Sequence, residues 1–98
     1  MALTFDDGPG PYTSRLIDIL NNNKAHATFF MLGKNLSIYK DEVKKAYDNK
    51  MEIGYHSYNH KNFKRQKLET IVEEFNDSNE TLKSITGDTF HLIRPPYG

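Results

Sequence analysis

The chain has 98 residues, 37% of them hydrophobic and 27% charged, and its 13 basic residues are balanced by 13 acidic ones. This length allows one domain with a thin core, and the neutral balance argues against electrostatic binding to nucleic acid or anionic lipid. The sequence has no cysteine, which excludes disulfides, thiolate metal sites and cysteine nucleophiles. A run of about 18 apolar residues, as a membrane-spanning helix requires, does not occur.

Short apolar runs alternate with amphipathic stretches, and Gly, Pro and Asn separate them. The predicted elements, in chain order, are a strand at Met1–Phe5, a helix with Thr13 as N-cap that ends at Asn21–Asn23, a strand at Ala27–Leu32, a helix at about Ile38–Asn49, a strand at Met51–Tyr55, a helix at about Leu68–Thr86 and a strand at Phe90–Ile93. The order βαβαβαβ predicts an α/β fold with a parallel sheet.

Polar residues follow three of the predicted strands, at the point where each strand ends. Asp6 and Asp7 follow the first strand, the segment His56–His60 follows the third, and Arg94 follows the fourth. The carboxyl ends of parallel strands meet at one edge of the sheet, where α/β proteins carry their chemistry. The sequence therefore predicts one polar cluster at this edge.

The residue types in this cluster are those of a metal site with a neighbouring base. His56 and His60 have the i, i+4 spacing that places two imidazoles on one side of a helical turn. Two imidazoles and one carboxylate are a common ligand set for a catalytic divalent ion. HxxxH alone is a weak pattern, and Asp-Asp-Gly-Pro alone would fit a turn. Together they indicate metal-assisted hydrolysis, with one acid as ligand and the other as base.

Arg94 and Tyr97 complete the predicted cluster. Arg94 follows an apolar strand, and its guanidinium is suited to hold a carboxylate by a charge-assisted pair. Pro95 and Pro96 stiffen the loop after it. A fixed backbone N–H at Tyr97 would then be able to donate to an oxyanion.

Three motifs in this order, TFDDGP, HSYNH and RPPYG, resemble those of the polysaccharide deacetylase family, also called the NodB-homology domain or carbohydrate esterase family 4. The resemblance runs from Leu3 to Gly98. It implies a fold similar to the first half of a distorted (β/α)7 barrel. It also implies that residues 1–98 form the N-terminal part of a single domain of this family, truncated after the third motif.

The resemblance assigns a role to each matching residue. It implies that Asp6 is the general base, that Arg94 positions it, and that the Tyr97 backbone N–H holds the oxyanion. It implies a divalent ion, usually zinc and sometimes cobalt. The implied metal ligands are Asp7, His56 and His60. The residues predicted to contact the substrate are Tyr58, Pro95 and Tyr97. For Tyr58, the prediction depends only on its being a tyrosine beside the expected cleft, where it could stack on a sugar ring.

The implied reaction is metal-dependent removal of acetyl groups from an N-acetylated polysaccharide of the peptidoglycan or chitin type. The later family segments, including the histidine that acts as general acid, have no counterpart here. We therefore expect these 98 residues alone to be inactive or weak. A four-stranded part of a barrel leaves open edges, which we expect the missing C-terminal half or a second copy to cover.

Family resemblance suggests the cell envelope or a secreted location. The start, MALTF, has neither the basic region nor the long apolar region of a signal peptide.

Two other functions fit parts of the pattern. A non-catalytic metal- or glycan-binding module would keep the ligands without turnover. A phosphorylation receiver domain also carries an acidic pair after its first strand, but it needs an acceptor aspartate after the third strand, where this chain has Tyr55-His56-Ser57.

Overall fold

Three parallel strands alternate with helices in the computed structural model, which describes residues 3–59 and 66–95. The sheet order is β1-β2-β3, so each strand lies beside the next one in sequence. The elements are β1 Leu3–Gly8, α1 Thr13–Asn22, β2 Ala27–Leu32, α2 Gly33–Leu36, α3 Lys40–Asp48, β3 Glu52–Ser57 and α4 Leu68–Thr86. The predicted α/β class with parallel strands is confirmed.

The central strand β2 has parallel neighbours on both sides and is almost entirely buried. Its continuous apolar run suits this position because side chains on both faces of the strand leave water. The helix-facing side of the sheet forms the core with α1, α3 and α4. Its most deeply buried members include Ile17, Met31, Leu36, Val43, Ala46, Tyr55 and Leu82.

The predicted fourth strand, Phe90–Ile93, is wrong in extent. Within the described residues, Ile93 forms one isolated parallel bridge to Tyr55. The Tyr55 N–H donates to the carbonyl of Leu92 at 2.8 Å, and the Arg94 N–H donates to the carbonyl of Tyr55 at 2.9 Å. The ladder stops there because the Phe90 N–H donates to the side chain of Asn79 instead, and Pro95 has no N–H to donate.

Thr13 is not the N-cap of α1, as its residue type suggested. Tyr12 takes that place, and Thr13 is the first helical residue. The Thr13 hydroxyl is buried and accepts a hydrogen bond from the backbone N–H of Gly10 at 2.9 Å. Thr13 therefore stabilises the turn before the helix instead of the helix end.

The helix predicted at Ile38–Asn49 begins later, and a short helix precedes it. The short helix α2 follows β2 directly, and α3 begins at Lys40. Ile38 lies between them with 69% of its surface exposed, so it takes no part in the buried face of α3.

The prediction for α4 is confirmed at both ends. Gly87 follows it with a φ of 84°, and its N–H donates to the carbonyl of Lys83 at 2.8 Å. A residue without Cβ adopts this left-handed conformation at little cost, which explains why the helix ends at glycine.

Across residues 3–59 and 66–95, no helix has both the length and the apolar character needed to cross a bilayer.

Candidate active site

The carboxyl ends of the strands bring together four of the six predicted site residues that the structure describes. These are Asp6, Asp7, His56 and Arg94. His60 and Tyr97 lie outside the described residues, as does Pro96.

Asp7 occupies a bulge in β1. Asp6 pairs with Phe30 and Gly8 pairs with Met31, so Asp7 is an extra residue with no partner position on β2. Its φ of 72° lies in the left-handed region, which aspartate tolerates better than most residues. In a regular strand, successive side chains point to opposite faces. The bulge re-aims Asp7, so two adjacent acids both reach partners at the carboxyl end of the sheet.

His56 occupies the matching irregularity in β3. Met31 pairs with Tyr55 and Leu32 pairs with Ser57, so His56 is the extra residue on its strand. Only 4% of His56 is exposed. Bulges are frequent beside active sites because they redirect one side chain without disturbing the rest of the ladder.

Asp6 forms an ion pair with Arg94. The guanidinium Nη1 donates to Asp6 Oδ1 at 2.9 Å, and the same nitrogen lies 3.4 Å from the hydroxyl oxygen of Thr4. The side chains are 37% exposed at Asp6 and 41% exposed at Arg94. The pair is therefore accessible to solvent, and Arg94 fixes the orientation of a carboxylate that water can reach.

Two contacts at opposite ring nitrogens hold His56. Its Nδ1 lies 2.6 Å from the backbone carbonyl oxygen of Arg94. A carbonyl only accepts, so Nδ1 carries the proton and donates. Nε2 then faces Asp7 Oδ1 at 3.3 Å. Donation from one ring nitrogen to a carbonyl is the usual way in which a metal-ligating histidine is oriented.

The donor chemistry of Asp7 and His56 fits a divalent ion. In the neutral imidazole with Nδ1 protonated, Nε2 presents a lone pair towards a carboxylate oxygen. Two ligands of a tetrahedral zinc ion, each about 2.0–2.2 Å from it, would be separated by roughly 3.3–3.6 Å. The observed separation is 3.3 Å. In the described ranges, no group of three or more His, Cys, Asp or Glu side chains is placed to hold a metal, and the third predicted ligand, His60, lies outside those ranges.

Tyr58 lies in the loop after β3, and Pro95 directly follows Arg94. Both are exposed, with 39% of Tyr58 accessible. The Tyr58 carbonyl accepts from the Lys34 N–H at 2.9 Å, which ties the loop after β3 to the start of α2. Its ring borders a groove of about 450 Å³ whose polar lining includes Lys34, Ser37, Glu74, Asp77 and Thr81.

Two residues beside the site were not among the predicted ones. The Arg94 guanidinium carbon lies 4.2 Å from the centre of the Phe30 ring. Two consecutive phenylalanines in a strand must face opposite sides of the sheet, and this signal would have placed one of them on the side of the site. Tyr12 is the other residue: burial raises the pKa of its phenol, and the Asp7 carboxylate raises it further.

The remaining histidines lie away from the site. His26 is exposed just before β2, at the opposite end of the sheet, and His91 is exposed and 3.2 Å from Asp88.

Comparison with known proteins identifies the family. The family model described as polysaccharide deacetylase matches residues 1–98. The chain belongs to the polysaccharide deacetylase family. A peptidoglycan-N-acetylglucosamine deacetylase of Bacillus cereus is 40% identical over 98% of this chain and 35% of its own length. A chitin deacetylase of Pestalotiopsis sp is 36% identical over 98% of this chain and 33% of its own length.

Solved structures agree with this polysaccharide deacetylase assignment. A structure described as T48 deacetylase with substrate superposes with a TM-score of 0.95 and 42% sequence identity. The match covers 99% of this chain and 49% of that one. The described fold is thus that of about half of a family 4 carbohydrate esterase with a (β/α) barrel. The chain spans about a third of the length of the two curated relatives.

Proposed function

We propose that the protein removes acetyl groups from an N-acetylated polysaccharide of the peptidoglycan or chitin type, using a divalent ion. One observation carries this proposal: two adjacent carboxylates have separate partners, Asp6 with Arg94 and Asp7 with His56. A carboxylate held in place beside the proposed metal ligand suits the role of a general base, which a protein that only binds a metal does not need. The relatives support the substrate class, since they are named as peptidoglycan and chitin deacetylases.

The proposed ligands are Asp7, His56 and His60, and the proposed ion is zinc, with cobalt as the alternative. When bound, the ion supplies Lewis-acid polarisation of the acetyl carbonyl and lowers the pKa of water. Arg94 serves twice here. Its carbonyl accepts from Nδ1 of His56, so that Nε2 faces the metal site.

Asp6 is the proposed general base, which takes a proton from the attacking water. The Arg94 guanidinium holds this carboxylate in place by a contact of 2.9 Å. The backbone N–H of Tyr97 is the proposed donor to the oxyanion, and Tyr58, Pro95 and Tyr97 are the proposed contacts to the polysaccharide. An envelope or secreted location belongs to the same proposal.

The test compares the full-length wild-type protein with Asp6→Asn, using acetate release from an acetylated chito-oligosaccharide or peptidoglycan fragment and metal content by mass spectrometry. Asp6→Asn is expected to lower acetate release by about 10²–10⁴-fold while the metal content stays unchanged. Wild-type protein treated with a chelator should lose activity and regain it with added zinc. Metal and glycan binding without acetate release by the wild type would favour a non-catalytic binding module instead.

We also propose that residues 1–98 alone are inactive or weak and that the rest of the domain, or a second copy, covers the open sheet. The outer edge of β1 pairs with no other described strand, and Leu92 and Ile93 are exposed beyond β3. Light scattering after size exclusion measures the molar mass of residues 1–98 and so tests whether a second copy covers the open sheet edge. A stable, soluble monomer of these 98 residues would refute it, and full-speed acetate release by them would refute the weak activity.

A further inference from the structure

Three residues form a straight row across the sheet, one on each of its strands. Asp6 of β1 pairs with Phe30 of β2, and Phe30 pairs with Gly54 of β3. Paired positions in neighbouring strands project to the same face, so this row faces the side that carries the Asp6 carboxylate. Arg94 comes from the chain on the far side of β3, next to the bridge between Ile93 and Tyr55.

Arg94 therefore reaches Asp6 across two intervening strands. Its guanidinium carbon lies 4.2 Å from the centre of the Phe30 ring, and its Nη1 contacts Asp6 Oδ1 at 2.9 Å. A planar guanidinium stacks well on an aromatic face. The ring thus supports the arginine midway along its path to Asp6.

Gly54 makes room for this support. A Cβ atom at Gly54 would lie 2.6 Å from Cδ1 and 2.7 Å from Cε1 of the Phe30 ring, closer than real atoms approach. The ring therefore lies over the bare backbone of Gly54, and any side chain there would push it out of place. Phe30 itself is only 7% exposed.

We propose that Phe30, seated on Gly54, is a positioning residue that holds the Arg94 guanidinium against Asp6. This inference rests on the proposed function for its catalytic consequence. The contact itself stands on the geometry of the row. Phe30 has no polar atom and takes no part in proton transfer, so its effect passes entirely through Arg94.

The neighbouring Phe29 supplies a matched control. It is 3% exposed and stacks on Phe5 with 5.4 Å between ring centres, on the helix-facing side of the sheet. Phe29→Leu and Phe30→Leu remove the same atoms from the same buried strand. A merely structural role for Phe30 would give both variants the same result.

The experiment uses the full-length, metal-loaded protein with kcat and KM on an acetylated chito-oligosaccharide, and the side-chain Nε–Hε resonance of Arg94 by NMR. Phe30→Leu is expected to lower kcat about tenfold, as loss of one cation–π contact allows, with KM within about twofold. The Arg94 resonance should lose its ring-current shift. Phe30→Tyr should keep the wild-type kcat and the ring-current shift of Arg94, and so should Phe29→Leu.

An unchanged Arg94 resonance in Phe30→Leu, or an equal loss of kcat in Phe29→Leu, would overturn the proposal. If Phe30→Leu does not fold, Gly54→Ala displaces the ring without removing apolar surface and should shift kcat and the resonance in the same direction. If the wild type releases no acetate, the proposed function fails, and the NMR comparison alone decides whether Phe30 holds Arg94.

Discussion

The backbone carbonyl oxygen of Arg94 lies 2.6 Å from Nδ1 of His56, 38 residues earlier in the chain. The side chain of the same arginine contacts Asp6. Arg94 thus reaches the proposed metal ligand through its main chain and the proposed base through its side chain. Substitution of the side chain separates these two contacts, because every amino acid retains the carbonyl.

We expect Arg94→Ala to lower kcat by about 100-fold, since misplacing a catalytic group by about 1 Å has an effect of this size. Zinc affinity should change by less than about threefold, because the carbonyl that orients His56 remains. Acetate release and calorimetric zinc titration of the full-length protein measure the two effects. Equal losses of activity and of zinc affinity would show that the side chain also maintains the metal site.

Removal of a proposed metal ligand should weaken zinc binding, which Arg94→Ala should leave nearly unchanged. His56→Ala and Asp7→Ala are each expected to weaken zinc binding by more than about 100-fold, since loss of groups that merely orient a ligand already costs 10–100-fold. Metal content after dialysis measures this.

His91→Ala is the matched control, because His91 also has its Nε2 beside an aspartate, at 3.2 Å from Asp88. Its zinc content should equal that of the wild type. Full zinc content in His56→Ala would contradict the assignment of the metal site.

We expect the buried phenol of Tyr55 to lower the free energy of unfolding at alkaline pH. Burial raises the pKa of its phenol from 10.0 to about 12; a hydrogen bond with Ser78 opposes the increase, and the Glu74 carboxylate adds to it. Since the folded pKa exceeds the unfolded one, this contribution to stability is fully present below about pH 10. It is lost as the pH rises towards about 12.

Between pH 8 and pH 11 we expect the wild type to lose about 1 kcal/mol more than Tyr55→Phe, from the first unit of the shift. Urea unfolding at both pH values measures the difference. Tyr47→Phe, at a tyrosine with 38% exposure, should lose as much as the wild type. Identical pH dependence in Tyr55→Phe would exclude this phenol as the source.

Gly33 is required by packing at the junction of β2 and α2. A Cβ there would overlap the Ser78 hydroxyl and lie 3.0 Å from the Tyr58 ring. Gly33→Ala is expected to reduce the free energy of unfolding by about 1–3 kcal/mol, as overpacking does, and to displace Tyr58.

Gly87→Ala gives the contrasting case, because nothing lies within 4 Å of its Cβ position and only the φ of 84° is strained. We expect a loss of about 1 kcal/mol with the Tyr58 environment unchanged. Denaturant unfolding and the fluorescence of the tyrosines would measure both. A Gly33→Ala protein as stable as the wild type would show that α4 shifts freely away from β2.

The fold and the composition of the site followed from simple sequence signals. The apolar run Ala27–Leu32 and the periodic pattern of α4 placed a buried strand and a helix. Parallel strands then required Asp6, His56 and Arg94 to share one edge. The fourth strand was overestimated because the Asn79 side chain, 11 residues from Phe90, takes the N–H that a longer ladder would need.

The positions of Asp7 and His56 could not be read from periodicity. An alternating pattern carries no sign of a single inserted residue, and both side chains owe their direction to such insertions. The contact between Phe30 and Arg94 was hidden for another reason. A buried aromatic looks the same in sequence whether it packs on leucines or supports a guanidinium.

The bulges at Asp7 and His56 also affect how this protein can be altered. Each bulge adds one residue to its strand but none to the neighbouring strand. The pairing before the bulge therefore stays regular, while the side chains after it change direction. Deleting Asp7 would leave β1 with more regular pairing to β2, yet it would move the remaining acid out of register with His56. Idealising this sheet for stability would therefore make its hydrogen bonding more regular, but it would separate the Asp7 and His56 side chains that now meet at its carboxyl end.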